Sequence, residues 1–229
     1  MWYIFPMRIL LASPFLFLFV PAYASVIVGA GVTDIAAPAS VMPGQLLSDS
    51  TIYVFNEQVD LTLTTAIGVG ISEPGTYITG ISTFTPATIA AGITVNSYLL
   101  RAAPATDEPG LDYRDYTGTI SFSPGERIVG IIIGNDNLAF TDSQLGAPGT
   151  LYPPASYELG GLKDDCEVII SPNDESVYVN FHSSAAADGM DMIRILTVSP
   201  EPADFLLMGS GLAVVAFLKR RSFLRRFQR

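Results

Sequence analysis

The body of the chain alternates between apolar and polar residues over short runs, which are separated by stretches containing Gly, Pro and Asp. Residues 59–63 alternate cleanly, and residues 77–84 are rich in β-branched and aromatic side chains, as is typical of strands. No body segment keeps the spacing of an amphipathic helix over three turns. The pattern predicts an all-β fold, a single antiparallel β-sandwich or jelly roll. Its strands are expected at 25–28, 51–58, 59–63, 77–84, 93–101, 118–122, 127–133, 156–159, 167–170, 176–181 and 192–198.

Two turn signals separate strands in the second half of the chain. Residues 123–125 are Ser-Pro-Gly, an order that favours a tight turn. The strands at 118–122 and 127–133 are therefore predicted to form a hairpin. Residues 172–174 are Pro-Asn-Asp and mark a turn between two later strands.

The first 24 residues form a separate segment with the pattern of a secretory signal peptide. One basic residue precedes an apolar run at 9–20, and the small residues Ala22 and Ala24 stand before Ser25. Signal peptidase reads small residues at these two positions, so cleavage is expected before Ser25. An uncleaved N-terminal anchor is the alternative, but the apolar run is short for a membrane span.

Residues 199–229 also differ from the body. A Pro-Glu-Pro spacer precedes an apolar run at 205–218 and a basic tail. The run is shorter than the roughly 20 residues that cross a hydrocarbon core untilted, and the positive charges favour the cytoplasmic side. A buried core helix is the alternative, although such a helix need not end in six cations. The spacer is Pro200, Glu201 and Pro202, and the tail begins with Lys219, Arg220 and Arg221.

This order of motif, short apolar segment and Arg-rich terminus resembles the PEP-CTERM sorting signal of bacterial exported proteins. The resemblance implies recognition by exosortase, a membrane protease-transpeptidase that removes the transmembrane helix and tail. It implies an inner-membrane intermediate and then the cell surface or extracellular matrix of a Gram-negative bacterium. The body at 25–198 more loosely resembles the single sandwich domain of such proteins. Exopolysaccharide often accompanies this sorting system and is an implied partner.

The net charge of the exported body differs from that of the whole chain. Residues 25–200 hold 20 acidic and five basic side chains, whereas the whole chain has 22 acidic and 12 basic ones. The body therefore carries a net charge of about −15. A polyanion without a basic stripe repels nucleic acid, so nucleic-acid binding is excluded.

Calcium is the cofactor class that the acidic residues favour most, because Asp and Asn oxygens are its usual ligands. Residues 134–154 are predicted to form a long loop with one helical turn at 143–145. The first candidate cluster lies in this loop and consists of Asn135, Asp136, Asn137 and Asp142. A second cluster comprises Asp107, Glu108, Asp112 and Asp115, and a third comprises Asp188 and Asp191. None matches the EF-hand pattern, and ordinary turn-forming carboxylates are the alternative.

Catalytic chemistry finds little support in the sequence. His182 is the only histidine and has no nucleophile-elbow pattern nearby, which argues against a Ser-His-Asp triad. One His and one Cys also fall short of a zinc site. Cys166 lies among carboxylates that disfavour the thiolate, so a structural role is predicted, with pairing to another chain as the alternative.

Loop tyrosines leave carbohydrate binding open. The only Trp lies in the signal segment, so a sugar platform would depend on Tyr113, Tyr116, Tyr152 or Tyr157. Tyrosines at strand ends also serve as rim residues of a core. The sequence thus predicts an exported, non-enzymatic surface or matrix protein. The alternative is a carbohydrate- or calcium-binding module associated with exopolysaccharide, and glycoside hydrolysis is disfavoured because nothing selects a carboxylate pair.

Overall fold

The described part of the chain contains two five-stranded sheets, one two-stranded sheet and one short helix. The computed structural model describes residues 26–199 apart from 81, 83, 85, 106–112, 156–160, 163–164 and 185–188. The signal segment, the strand expected at 156–159 and the motif and apolar segment after 199 lie outside these residues. The elements are β1 (Val26–Val28), β2 (Val32–Asp34), β3 (Ile52–Thr62), β4 (Ile67–Val69), β5 (Gly75–Ile78), β6 (Ala87–Ile89), β7 (Thr94–Ala102), β8 (Tyr113–Phe122), β9 (Arg127–Ile132), α1 (Asn135–Leu145), β10 (Glu167–Ile170), β11 (Ser176–Ser184) and β12 (Asp191–Val198).

Strands that are neighbours in a sheet are mostly not neighbours in the sequence. Sheet 1 has the order β1-β8-β11-β10-β5, and sheet 2 has the order β2-β3-β7-β12-β9. A two-stranded sheet of β4 and β6 accompanies them. The all-β expectation is therefore confirmed. All pairs within the sheets are antiparallel except β2 with β3, which is parallel, so the purely antiparallel expectation is wrong at that edge.

A main hydrophobic core unites side chains of both large sheets. Tyr98, Leu100 and Ile195 of sheet 2 belong to the same buried cluster as Ile120 and Val179 of sheet 1. This arrangement is sandwich-like, because one face of each sheet contributes to a shared core. A chain with one buried cysteine forms no internal disulfide, so burial of this kind must hold the fold together.

A second core lies on the other face of sheet 2. Phe55, Leu99 and Leu196 point to that face and cluster with Leu138 and Leu145 of α1. Side chains of β4 and β6 join the same cluster. Sheet 2 is therefore buried on both faces, which explains why nearly all of β12 is buried. Sheet 1, by contrast, keeps one face toward solvent.

The Ser-Pro-Gly turn at 123–125 does not form the predicted hairpin. The strand before it, β8, pairs with β1 and β11 in sheet 1, whereas β9 pairs with β12 in sheet 2. Pro and Gly do form a turn at this point, but the turn carries the chain from sheet 1 to sheet 2. The turn predicted at 172–174 is confirmed, because β10 and β11 flank it and pair directly.

Close backbone contacts join the first strands to β8. Gly31 has φ of +80°, and a Cβ at that position would lie 2.1 Å from the carbonyl oxygen of Thr117. A Cβ on Gly118 would lie 2.3 Å from Cγ2 of Val32. Glycine is needed at both positions because any side chain would meet backbone or core atoms. These contacts let the chain pass from β1 in sheet 1 to β2 in sheet 2.

Candidate functional site

The outer face of sheet 1 is the open surface of the described domain. Along β8, residues alternate between buried and outward positions, and the outward ones are polar or aromatic. No described helix or strand packs over this face. Its outward side chains on the central strand β11 and the adjacent strand β8 are Tyr113, Asp115, Thr117, Thr119 and Ser121 of β8 and Ser176, Tyr178, Asn180 and His182 of β11.

One end of this face carries an aromatic and ionisable group, which we call the Tyr–His cluster (Tyr113, Asp115 and His182). The Nδ1 atom of His182 lies 2.6 Å from Oδ1 of Asp115, its direct neighbour across the strand pair. The rings of Tyr113 and His182 stack with centroids 4.5 Å apart and planes inclined by 23°. The side chain of Asp115 is 64% exposed, and Tyr113 is 51% exposed. The cluster therefore offers solvent a ring and a carboxylate side by side.

The backbone beneath His182 is fixed by Cys166. The His182 amide donates to Sγ of Cys166 at 3.2 Å, and the Cys166 amide donates to Oγ1 of Thr79 at 3.0 Å. Cys166 is fully buried, which agrees with the predicted structural role of its thiol. The strand that presents His182 is thus held from behind by buried groups.

The His182–Asp115 pair has the geometry of two members of a catalytic triad. An Asp oxygen orients the imidazole, as a base requires. Among the described residues, however, no hydroxyl or thiol forms a hydrogen bond with the imidazole. Among the described residues, the partners of the His182 ring are the Asp115 carboxylate and the Tyr113 ring.

The first predicted calcium cluster lies on a helix rather than in a loop. Asn135, Asp136 and Asn137 occupy the first turn of α1, and Asp142 lies farther along the same helix. The predicted loop at 134–154 is wrong over these residues. The Nδ2 atom of Asn135 donates to the Ala155 carbonyl at 2.8 Å, and Asp142 accepts a hydrogen bond from Arg194. No group of three or more metal-ligating side chains occurs among the described residues, and calcium binding stays a prediction.

Asp142 belongs instead to a buried ionic network, which we call the Arg194 network. The guanidinium of Arg194 donates from Nε to Oε2 of Glu57 at 2.6 Å and from Nη2 to Oε1 at 2.8 Å. Nη2 also donates to Oδ1 of Asp142 at 2.7 Å. Nη1 donates to the Leu138 carbonyl at 3.1 Å and to Oγ1 of Thr141 at 2.6 Å. Glu57 and Arg194 are both fully buried side chains, so β3 and β12 hold α1 through charge.

Burial and charge act against each other in this network. Burial opposes the charge on Arg194, but Glu57 and Asp142 together raise its pKa above the ordinary value. For Asp142, burial raises the pKa and outweighs the opposing effect of Arg194. The Tyr152 ring also faces the guanidinium, with 5.7 Å between its centroid and Cζ, and burial raises the Tyr152 pKa. The network therefore joins α1 to sheet 2. The Asp142 carboxylate is already bound to Arg194 and is poorly placed to act as a metal ligand.

The remaining predicted site residues are scattered. Asp191 is buried on β12, and Asp115 belongs to the Tyr–His cluster. Tyr116 and Tyr152 face the interior, where the Tyr116 hydroxyl donates to the Ser48 carbonyl and the Tyr152 hydroxyl oxygen accepts from the Ala147 amide. Four tyrosines were predicted as possible platform residues. Among those that the structure describes, Tyr113 is the one that lies on the open face. Asp107, Glu108, Asp112, Tyr157 and Asp188 lie outside the described residues.

The Arg194 network and the outward position of Tyr178 were not anticipated from the sequence. Glu57 and Arg194 are 137 positions apart, so no local pattern links them. Tyr178 alternates with buried valines in β11, and that alternation is a signal that identifies it as outward-facing.

Comparison with known proteins finds no similarity to this chain. No family model, no curated protein and no solved structure matches it. Within the described residues, none of the helices has the length and apolar character of a membrane span.

Proposed function

We propose that this chain is an exported, non-enzymatic surface or matrix protein that is sorted by its C-terminal segment. In this proposal, residues 1–24 are a signal peptide, 25–198 a single sandwich domain of the jelly-roll kind, and 199–229 the sorting signal. Signal peptidase and exosortase are its processing partners. The order of Pro200-Glu201-Pro202, the apolar run and the basic tail supports the proposal.

One geometric observation carries the proposal: the two ends of the domain lie together. Val26 of β1 pairs with Phe122, the last residue of β8, and Val198 of β12 pairs with Arg127, the first residue of β9. The short connection 123–126 joins Phe122 to Arg127. Both processed segments therefore attach at the same end of the sandwich. A domain held at one end extends its other end away from the point of attachment, as a surface protein requires.

The sorting proposal is tested by replacing Pro200, Glu201 and Pro202 with alanine. We expect export to continue, because the signal peptide is intact, while the protein is retained at the inner membrane. Cell fractionation and intact mass spectrometry measure both outcomes, with a product from about Ser25 to about Pro200 expected for the wild type. Alanine at Glu73 and Pro74, an exposed Glu-Pro pair within the body, is the matched control and should not change release. Unchanged release of the motif variant would refute the sorting role.

The open face of sheet 1 favours a second function, which is carbohydrate binding. Sugar rings present hydroxyl groups at their edges and apolar C–H groups on their faces. The face offers hydroxyl side chains, such as those of Thr117 and Thr119, for the former and the rings of Tyr113 and Tyr178 for the latter. Binding of the recovered protein to insoluble polysaccharide, lost on Tyr113→Ala and kept on Phe140→Ala, tests this function. Phe140 is a suitable control because it is exposed on α1, on the opposite side of the domain.

A further inference from the structure

We propose that the Tyr–His cluster recognises an amine-bearing saccharide, namely a polymer of amino sugars with free, protonated amino groups. This inference rests on the proposed carbohydrate-binding function of the same face and names the class of sugar that it takes. Three observations carry it: the stacked ring, the sign of the charges on the face, and the place of the cluster in the domain.

The stacked ring provides a flat platform of fixed orientation. Tyr113 lies against the ring of His182, whose amide is held by Cys166 behind the strand. Asp115 fixes the imidazole from its edge. The Tyr113 ring is thus oriented before any ligand arrives, which lowers the ordering cost of stacking. Its exposed face attracts both sugar C–H groups and a nearby ammonium group.

The charges on the described part of the face are negative. Asp115 lies next to the platform, and Glu167 of β10 points outward beside Asn180 of β11. The described strands of sheet 1 contain one Arg and no Lys, and that residue, Arg114, turns away from the face to bind Asp49 at 2.7 Å. An anionic sugar polymer would meet like charge here, and a neutral one would gain no ionic contact. A polymer of protonated amines meets an exposed carboxylate beside an aromatic ring, which is the pairing that ammonium groups favour.

The cluster lies at the end of the sandwich opposite to its two termini. Tyr113 begins β8, and Phe122, beside which both termini leave, ends it. Eight residues of β8 lie between them, and the nine steps along the strand span a distance of about 30 Å. A domain attached at its terminal end would therefore present the Tyr–His cluster outward. This position suits contact with a polymer outside the cell.

The test compares three soluble oligosaccharides of equal length by isothermal titration calorimetry with the full-length chain in detergent. They are a glucosamine oligomer, its fully N-acetylated counterpart and an oligogalacturonate, at a pH where the free amines are protonated. We expect the glucosamine oligomer to bind about three- to fivefold more tightly than the acetylated one, and the galacturonate not to bind. Tyr113→Ala should abolish binding, and Asp115→Asn should reduce the preference for the free amine to about twofold or less.

Matched variants keep this test specific. Phe140→Ala and Asp136→Asn change an exposed aromatic and an exposed carboxylate on α1, and they should leave binding unchanged. Circular dichroism confirms that each variant is folded. Equal affinity for the acetylated oligomer would overturn the amine preference while the carbohydrate-binding function stands. Absence of binding to all three sugars would overturn both. Binding that survives Tyr113→Ala would overturn the assignment to this cluster.

Discussion

Removing the charge of Arg194 should destabilise the domain more than any surface change. Its guanidinium has five N–H donors, and five hydrogen bonds leave it: two to Glu57 and one each to Asp142, Thr141 and the Leu138 carbonyl. Arg194→Met keeps much of the side-chain volume but leaves Glu57 buried without a cation. Breaking a buried ion pair from one side costs about 3–5 kcal/mol. That is a large fraction of the ~5–15 kcal/mol that stabilises a typical domain.

A double-mutant cycle separates the ion pair from the packing. We expect Arg194→Met to lower the free energy of unfolding by about 3–5 kcal/mol in urea titrations followed by circular dichroism. Glu57→Met should also destabilise, because it leaves Arg194 with a buried charge. The double variant should cost clearly less than the sum of the two single variants, since it leaves neither charge unpaired.

The helix provides an independent readout of the same network. Hydrogen exchange of the α1 amides should accelerate in Arg194→Met before that of β12 does, because Arg194 holds the helix through Leu138, Thr141 and Asp142. Asp115→Asn, a charge removal on the exposed face, is the control and should change stability by less than about 0.5 kcal/mol. Additive costs in the cycle, or a loss below about 1 kcal/mol in Arg194→Met, would refute the reasoning.

Three further predictions follow from buried groups and close contacts. Burial raises the pKa of Tyr116 to about 12, so the folded state holds its proton more tightly than the unfolded state. The contribution of Tyr116 to the free energy of unfolding should be complete below about pH 10 and should fall by up to about 2–3 kcal/mol as the pH rises toward 12. Urea titrations over this pH range should show a smaller loss of stability in Tyr116→Phe than in the wild type. Gly31→Ala should lower the free energy of unfolding more than Gly44→Ala in the same assay. Both glycines have φ near +80°, but only at Gly31 would a Cβ meet the Thr117 carbonyl. Equal losses of stability in the two variants would refute the importance of this contact. The Cys166 thiol should stay unreactive toward a thiol reagent until the protein unfolds, and rapid labelling of the native state would contradict its burial.

The sequence predicted the strands well where one face of a strand is polar. In β11, buried valines alternate with polar residues, and the predicted strand at 176–181 is contained in the observed one. In β8, only 118–122 was predicted, because the preceding residues are polar or charged. These residues extend the strand by pairing with β11 as far as Tyr113. Cross-strand pairing thus imposes structure on residues whose own pattern is weak.

The helix and the sheet crossing were missed for physical reasons. In α1 the two buried residues are Leu138 and Leu145, so no apolar stripe reveals the helix. Its attachment depends on these two leucines and on Arg194, which lies far away in the sequence. At 123–125 the turn signal is the same whether the chain returns to its own sheet or crosses to the other. From the sequence, Tyr113, Asp115 and His182 are separate candidates. The proximity of these three residues depends on the β8–β11 register, which the sequence does not reveal.

The position of β12 in sheet 2 sets the order in which the domain can be completed. It lies between β7 and β9, and it is the last strand of the described chain. A chain delivered from its N-terminus, by a ribosome or a translocation channel, exposes β7 without this neighbour until residues 191–198 arrive. Unpaired strand edges of this kind are sites of aggregation and of chaperone binding. An interior position of the sheet is thus filled last, and the domain cannot acquire its full stability while its final strand is still in transit.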